Sequence, residues 1–211
     1  MRTSRDLVRL SKDVLGAMNR KEDPRPLLKR MRKEAADLRN RTSRFPEIYH
    51  TGYVEGALAE VVEICILFAI MNGEQLPAPR ELSATPEAYL LGLGDVIGEL
   101  RRLAVEALRA TNLEVAEARL SEMERVYDLL MRFDLPDAIV PLRRKQDTGR
   151  GLIERTRGEV LVARSEKALK DRLDRVAAHL ERTQQGQGQG HVQQQVQGQG
   201  GRRDHRHDRR R

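Results

Sequence analysis

The chain has 211 residues, of which 39% are hydrophobic, 34% are charged and only 3% are aromatic. This length suffices for one domain with a sizeable core, and the single cysteine, Cys65, excludes a fold held by internal disulfides. The net charge of +7 is unevenly distributed, with −9 over residues 49–140 against +7, +5 and +4 over residues 1–48, 141–183 and 184–211.

Two amphipathic helices are predicted in the basic N-terminal segment. The first runs from about Ser4 to Met18 and the second from about Arg25 to Arg41, each with apolar residues recurring on one face. Pro24 separates them, and basic segments of this kind can bind phosphate backbones.

The third helix is predicted to start at Pro46 or Glu47 and to end at Asn72-Gly73, a typical C-terminal stop. It contains the most apolar run of the chain, Ala57 to Met71, and should therefore be central to the fold. This run is too short and too charged to span a membrane, and the N-terminus has no apolar signal core. The expected protein is soluble and cytoplasmic, with no membrane partner.

Three more helices are predicted after the loop that contains Pro77 and Pro79. Thr85 is the expected N-cap and Pro86 the first residue of the fourth helix, which extends to about Ala110. The segment from Thr111 to Glu114 is typical of a capping box for the fifth helix, and a long final helix follows Pro141. The predicted fold class is all-α, an antiparallel bundle of about six helices.

Two regions of different character are expected along the chain. Residues 1–183 form the predicted helical domain, whereas residues 184–211 are rich in Gln and Gly and then in Arg and His. Such a composition cannot offset the entropy of ordering, so the tail is predicted to be disordered. An auxiliary RNA-binding arm remains the alternative interpretation of this tail.

Four acidic residues stand out on the two most apolar helices. Glu60 and Glu63 are three residues apart and Asp95 and Glu99 are four apart, so each pair shares one side of its helix. Burying like charges together is costly unless a cation neutralises them. If the third and fourth helices pack antiparallel, the four carboxylates can converge as ligands for Mg²⁺ or Mn²⁺. Gly92, Gly94 and Gly98 remove bulk nearby, which suggests close packing or the approach of a ligand.

Ion pairing is the alternative explanation for these acids. They can be neutralised by Arg101, Arg102 or another basic helix, because ion-pair networks also bury carboxylates. Spacing alone leaves both interpretations open.

Three segments resemble the translin/Trax family. The segment from Ala59 to Glu63 resembles the Glu-x-x-Glu helix of Trax, the translin-associated factor. The segment from Tyr89 to Leu100 resembles the signature Tyr-Leu-Leu-Gly-x-x-Asp-x-x-Gly-Glu-Leu. Arg143 to Asp147, with Arg157-Gly158 further on, is similar to the last core helix of the family. The resemblance covers about residues 1–165, and a self-assembling form similar to the archaeal relatives is expected.

This resemblance implies an all-α protein that binds single-stranded RNA and single-stranded DNA and forms a homo-oligomer, expected to be an octamer. It also implies a Mg²⁺-dependent endoribonuclease with two acids on each of two helices. Those metal-binding and catalytic positions correspond to Glu60, Glu63, Asp95 and Glu99, all occupied here by acids. This occupancy favours a Trax-like, catalytic member over a translin-like protein that only binds.

Basic side chains are the expected contacts to the nucleic-acid backbone. Because the chain has few aromatic residues to stack on bases, backbone binding that tolerates any sequence is expected. The candidate contacts are Arg101, Arg102, Arg143, Arg144 and Lys145.

Other functions compete with the nuclease. A non-catalytic binding protein and an all-α Mg²⁺-dependent nucleotide pyrophosphatase stay open as alternatives. A ferritin-like di-iron site would need two Glu-x-x-His motifs, and only the segment from Glu47 to His50 fits. The sequence has no Walker loop, Gly-x-Ser-x-Gly or His-Glu-x-x-His motif, so P-loop, serine-hydrolase and zinc-peptidase chemistry lack support.

Overall fold

The computed structural model describes residues 2–45, 47 and 52–197. Within this part of the chain there are six α-helices, one short 3₁₀ helix and no strand, which confirms the predicted all-α class. The helices are α1 (Arg2–Asn19), α2 (Arg25–Thr42), α3 (Gly52–Asn72), the 3₁₀ helix (Pro79–Leu82), α4 (Pro86–Arg109), α5 (Leu113–Leu130) and α6 (Leu142–Gln197).

The first two helices bury the apolar faces that the sequence predicted. Leu7, Leu10 and Val14 of α1 are buried, and α2 buries the residues predicted for its apolar face. The buried apolar residues of α2 are Leu28, Met31, Ala35 and Leu38. Both helices contact α3.

The central helix α3 is apolar nearly all round, as predicted, and it contacts α1, α2 and α4. Its C-terminal stop is confirmed, because Gly73 adopts a positive φ of 67° and the Asn72 side-chain amide donates to the Phe68 carbonyl at 2.7 Å. Its predicted start at Pro46 or Glu47 falls in a segment where Pro46 and residues 48–51 lie outside the described residues. That start stays a prediction.

The caps of α4 and α5 show one success and one error of sequence interpretation. Thr85 caps α4, accepting a hydrogen bond from the Ala88 N–H at 3.0 Å. The capping box predicted at Thr111 is wrong, because Thr111 has a positive φ of 54° and donates its N–H to the Leu108 carbonyl, thereby ending α4. Asn112 is the cap of α5 instead, and it accepts from the Val115 N–H at 3.2 Å.

A close approach of backbones fixes α4 against α3 at Gly92. A Cβ atom built on Gly92 would lie 2.4 Å from the Ala59 carbonyl oxygen and 2.8 Å from the Val62 Cβ. Only a glycine lets the two helices come this close. The four candidate acids lie on these same two helices.

The beginning of α6 packs against α4 and α5 through another small residue. A Cβ on Gly149 would meet the Ile97 side chain at 3.0 Å and the Tyr127 ring at 3.2 Å. Leu142 and Ile153 of the same helix are buried. This packing brings the basic residues at the start of α6 beside α4.

The described residues divide into two compact units between Leu161 and Val162. In the second unit, α6 continues to Gln197, and its apolar residues Leu169, Leu173 and Val176 are exposed. Residues 184–197, which the predicted disordered tail includes, belong to this helix, whereas residues 198–211 lie outside the described residues, so disorder there stays a prediction. None of the helices described for this chain has the length and apolarity required to cross a lipid bilayer.

The contact at Gly92 generates a stability prediction with a matched control on the same helix. Gly92→Ala should destabilise the protein by roughly 1–3 kcal/mol, because its Cβ would meet backbone that cannot move freely. Gly98→Ala should instead be neutral or stabilise by up to about 1 kcal/mol, because nothing lies within 4 Å of its Cβ and Ala is the better helix former. Urea denaturation of both variants is the measurement, and equal free energies of unfolding would contradict the close contact.

Candidate metal centre and nucleic-acid interface

Two pairs of acids lie on the helices that meet at Gly92. Glu60 and Glu63 belong to α3, and Asp95 and Glu99 belong to α4. All four side chains are partly buried, although most residues around them on both helices are fully buried. The site is thus built on the core of the bundle.

The electrostatics of Glu63 show that the acids act on one another. Burial raises the pKa of Glu63, and the negative charges of Glu60, Asp95 and Glu99 raise it further, to about 8, while Lys145 opposes them. In the described part of the chain the Glu63 carboxylate has no hydrogen-bond or ion-pair partner. The structure therefore brings the four predicted acids into one electrostatic cluster around Glu63.

The other three acids each have a partner. Glu60 Oε2 accepts a hydrogen bond at 3.3 Å from the hydroxyl of Ser11, a fully buried residue of α1. Asp95 forms an ion pair with the ammonium of Lys145 on α6. Glu99 accepts from Arg102 Nε at 2.8 Å, within α4. Ion pairing thus explains part of the acid pattern.

The chemistry of these side chains suits a divalent cation, but their present arrangement does not hold one. Carboxylate oxygens are the donors that Mg²⁺ and Mn²⁺ prefer, and burial together with the neighbouring negative charges raises the pKa of Glu63 and favours its protonated state. Across the described residues, no group of three or more His, Cys, Asp or Glu side chains is placed to bind a metal ion as it stands. Lys145 and Arg102 would have to release Asp95 and Glu99 for every carboxylate oxygen of the four acids to be available to a cation.

Such a release is energetically accessible. The side chains of Lys145 and Asp95 are 32% and 39% exposed, and ion pairs at this exposure contribute about 1 kcal/mol or less. Arg102 has further partners besides Glu99, namely Glu106 at 2.6 Å and Asn19 at 3.0 Å. It can therefore lose one contact and stay in place.

An open cleft of about 450 Å³ adjoins Asp95. Its walls combine a small-residue face of α4 with polar and basic side chains of α6, which is a suitable surface for a phosphate backbone. The lining residues are Leu91, Gly94, Asp95, Gly98, Pro141, Arg144, Lys145, Thr148 and Leu152.

The predicted nucleic-acid contacts separate into two groups. Arg144 and Lys145 line the cleft. Arg143 immediately precedes them in sequence, and its exposed side chain forms a long ion pair with Asp134 at 3.9 Å. Arg101 and Arg102 instead connect parts of the structure, and their roles as nucleic-acid contacts stay predictions. Arg101 is held by both carboxylate oxygens of Glu159, at 2.8 and 3.1 Å, and donates to Thr156 at 2.6 Å.

Sequence interpretation missed the contribution of Ser11. This serine lies among the apolar residues of α1, between Leu10 and Val14, and its single hydroxyl proton is shared between Glu60 at 3.3 Å and the Val8 carbonyl at 2.8 Å. The signal in the sequence was Ser11 itself, a polar residue on the otherwise apolar face of α1. Its long-range partner Glu60 could not be inferred from that signal.

Comparisons with known proteins agree with this architecture. Residues 1–157 match the translin family. An uncharacterized protein of Methanocaldococcus jannaschii is 39% identical over 142 residues, which span 67% of this chain and 63% of that protein. The chain thus covers less than two thirds of the length of this relative.

Three solved structures have the same fold. The complex of AfC3PO with duplex RNA superimposes with a TM-score of 0.71 at 28% identity, covering 79% of this chain and 88% of that chain. AfC3PO alone gives a TM-score of 0.71 at 29% identity, with the same coverage. For apo-NeC3PO the TM-score is 0.67 at 24% identity, with 76% and 86% coverage, a likeness that concerns the fold alone.

The family match extends over most of the first compact unit and includes every one of the four acids and the basic residues of the cleft. Because this match covers far more than half of the 211 residues, the chain belongs to the translin family.

Proposed function

We propose that this chain binds RNA and cleaves single-stranded RNA internally, with a divalent cation held by Glu60, Glu63, Asp95 and Glu99. The observation that carries the proposal is the state of Glu63, whose pKa of about 8 results from burial beside three other carboxylates. A cluster of like charges on core helices is costly, and binding a cation is the simplest function that makes it favourable.

RNA as the polymer is supported by the comparisons. The chain belongs to the translin family, and AfC3PO, with 28% identity, has been solved in complex with duplex RNA. The cleft beside Asp95 presents the basic side chains of Arg144 and Lys145, which can bind phosphates of any sequence. The proposal also includes assembly of identical chains, with an octamer as the expected form.

The residues at the site have different roles in the proposed reaction. Mg²⁺ or Mn²⁺, when bound, would supply an activated water and offset the charge that develops on the phosphodiester. Ser11 orients Glu60 through its hydrogen bond to Oε2. Arg144 and Lys145 bind the phosphate backbone in the cleft and hold the scissile bond near the acids.

A protein that binds RNA without cleaving it is the second candidate. It is favoured by the pairing of Asp95 with Lys145 and of Glu99 with Arg102, which leaves less negative charge for a cation to neutralise. This candidate requires RNA binding to be unchanged by EDTA and RNA to remain intact when a divalent cation is present.

Metal-dependent cleavage is the direct test. Wild-type protein should cut end-labelled single-stranded RNA with Mn²⁺ or Mg²⁺ and not with EDTA, and Glu63→Gln should slow cleavage by roughly a hundredfold or more, because a cation ligand is lost. Glu114→Gln, an exposed glutamate on α5, is the matched control and should cut at the wild-type rate.

Parallel incubations separate the alternatives. Duplex RNA shows whether cleavage requires a single strand, and a free nucleoside triphosphate tests the pyrophosphatase alternative. Intact single-stranded RNA after incubation with wild-type protein and Mn²⁺ would refute the nuclease and favour the binding protein.

The raised pKa of Glu63 also predicts how stability depends on pH in EDTA. The ordinary pKa is 4.5 and the folded value is about 8, so between these values the folded protein binds more protons than the unfolded chain. This contribution is fully present below pH 4.5 and is lost as the pH rises through 8. Urea denaturation of wild-type protein should therefore show a loss of roughly 3–5 kcal/mol between pH 5 and 9 from this group.

Two comparisons assign that loss to Glu63. Glu63→Gln should remove most of the pH dependence, whereas Glu114→Gln should retain it. Adding Mg²⁺ at pH 9 should restore stability to the wild-type protein, because a cation replaces the proton. Identical pH profiles for wild-type and Glu63→Gln would show that Glu63 is not protonated near neutral pH.

A further inference from the structure

Lys145 lies between the acid cluster and the open cleft. Its ammonium pairs with Asp95, and its aliphatic chain passes directly over α4. A Cβ built on Gly94 would lie 3.0 Å from Lys145 Cβ and 3.2 Å from Lys145 Cγ. Because Gly94 has no side chain, the aliphatic chain of Lys145 has room to pack against α4.

The same ammonium has two sets of possible partners. On one side it acts on the acids beyond Asp95, since it lowers the pKa of Glu63 against the effect of the other carboxylates. On the other side it lines the cleft together with Arg144 and Thr148, and its side chain is 32% exposed. A short movement of a flexible four-carbon chain can therefore transfer it from the acids to an anion in the cleft.

We propose that Lys145 is a positioning residue that exchanges Asp95 for an RNA phosphate when the acids bind a divalent cation. In the cation-free protein, Lys145 neutralises Asp95 and is withheld from RNA. Once the acids are occupied by a cation, the ammonium is repelled from the cluster and binds phosphate in the cleft. The inference rests on the proposed function for the identities of the cation and the polymer.

This exchange makes cation binding and RNA binding mutually dependent. Releasing Lys145 costs cation affinity when RNA is absent, and pairing with Asp95 costs RNA affinity when the cation is absent. Each ligand thus strengthens the binding of the other through Lys145, as linkage requires. Arg144 lines the same cleft. Among the described contacts it forms no ion pair with the four acids. It should therefore bind RNA without contributing to this coupling.

The first test is cation affinity without RNA. Isothermal titration of Mn²⁺ into Lys145→Met should show binding tighter than in wild-type protein by roughly 5- to 10-fold, because the competing ammonium is gone. Lys145→Arg retains the competing charge and should remain within about threefold of wild type. Arg144→Met, the matched control in the cleft, should stay within about twofold. Equal Mn²⁺ affinity in Lys145→Met and wild type would overturn the inference.

The second test uses a double-mutant cycle in EDTA, read by the fluorescence anisotropy of a labelled single-stranded RNA. Asp95→Asn releases Lys145 and should tighten RNA binding by about 5- to 10-fold. In the Lys145→Met background the same substitution should change binding by less than about twofold. Glu60→Gln removes the same charge but keeps the Lys145–Asp95 pair, so its effect should be small in both backgrounds.

The two tests fail in distinguishable ways. Absence of Mn²⁺ binding to wild-type protein would refute the proposed function, while the cycle in EDTA would still decide whether Asp95 restrains Lys145. An additive cycle would overturn the role of Lys145 even if wild-type protein binds Mn²⁺ and cleaves RNA. Circular dichroism of each variant confirms that it is folded before either measurement.

Discussion

The close approach of α3 and α4 at Gly92 is the contact on which the rest of the site depends. Because the backbone of α4 lies against the Ala59 carbonyl, the acids of the two helices are held near enough for their charges to interact. Apolar side chains fill most remaining positions on both helices, so solvent screening around Glu63 is weak. The fold accepts an unfavourable electrostatic arrangement at partly buried positions, and carboxyl groups perturbed in this way are concentrated at functional sites.

The partners of these acids come from three helices. Ser11 comes from α1, Arg102 from α4 and Lys145 from α6, so each acid except Glu63 is stabilised by a different element. Of these three partners, Lys145 alone is a charged residue from a basic flank of the sequence. Near the start of the basic segment over residues 141–183, Lys145 forms an ion pair with Asp95 of the acidic segment.

The basic residues show why composition alone does not identify the ones that lie beside the acids. Arg101 and Arg102 follow the acids directly in sequence, yet both are held by carboxylates of the protein. Arg144 and Lys145 are far from Asp95 in sequence, yet they share its cleft. Proximity to a ligand depends on which helix packs beside the acids, and charge counts contain no information about that packing.

The sequence by itself determined the local features of this protein. Helix ends at Gly73 and Thr85, the apolar faces of α1 and α2, and the pairing of acids on α3 and α4 follow from interactions between residues within about four positions, which sequence periodicity reports directly. The cap at Asn112 was missed because the positive φ of Thr111 depends on how α4 ends. Only the tertiary structure decided the partners of Glu60 and Asp95, because Ser11 and Lys145 lie on other helices whose contact with α3 and α4 is set by the packing of the whole bundle.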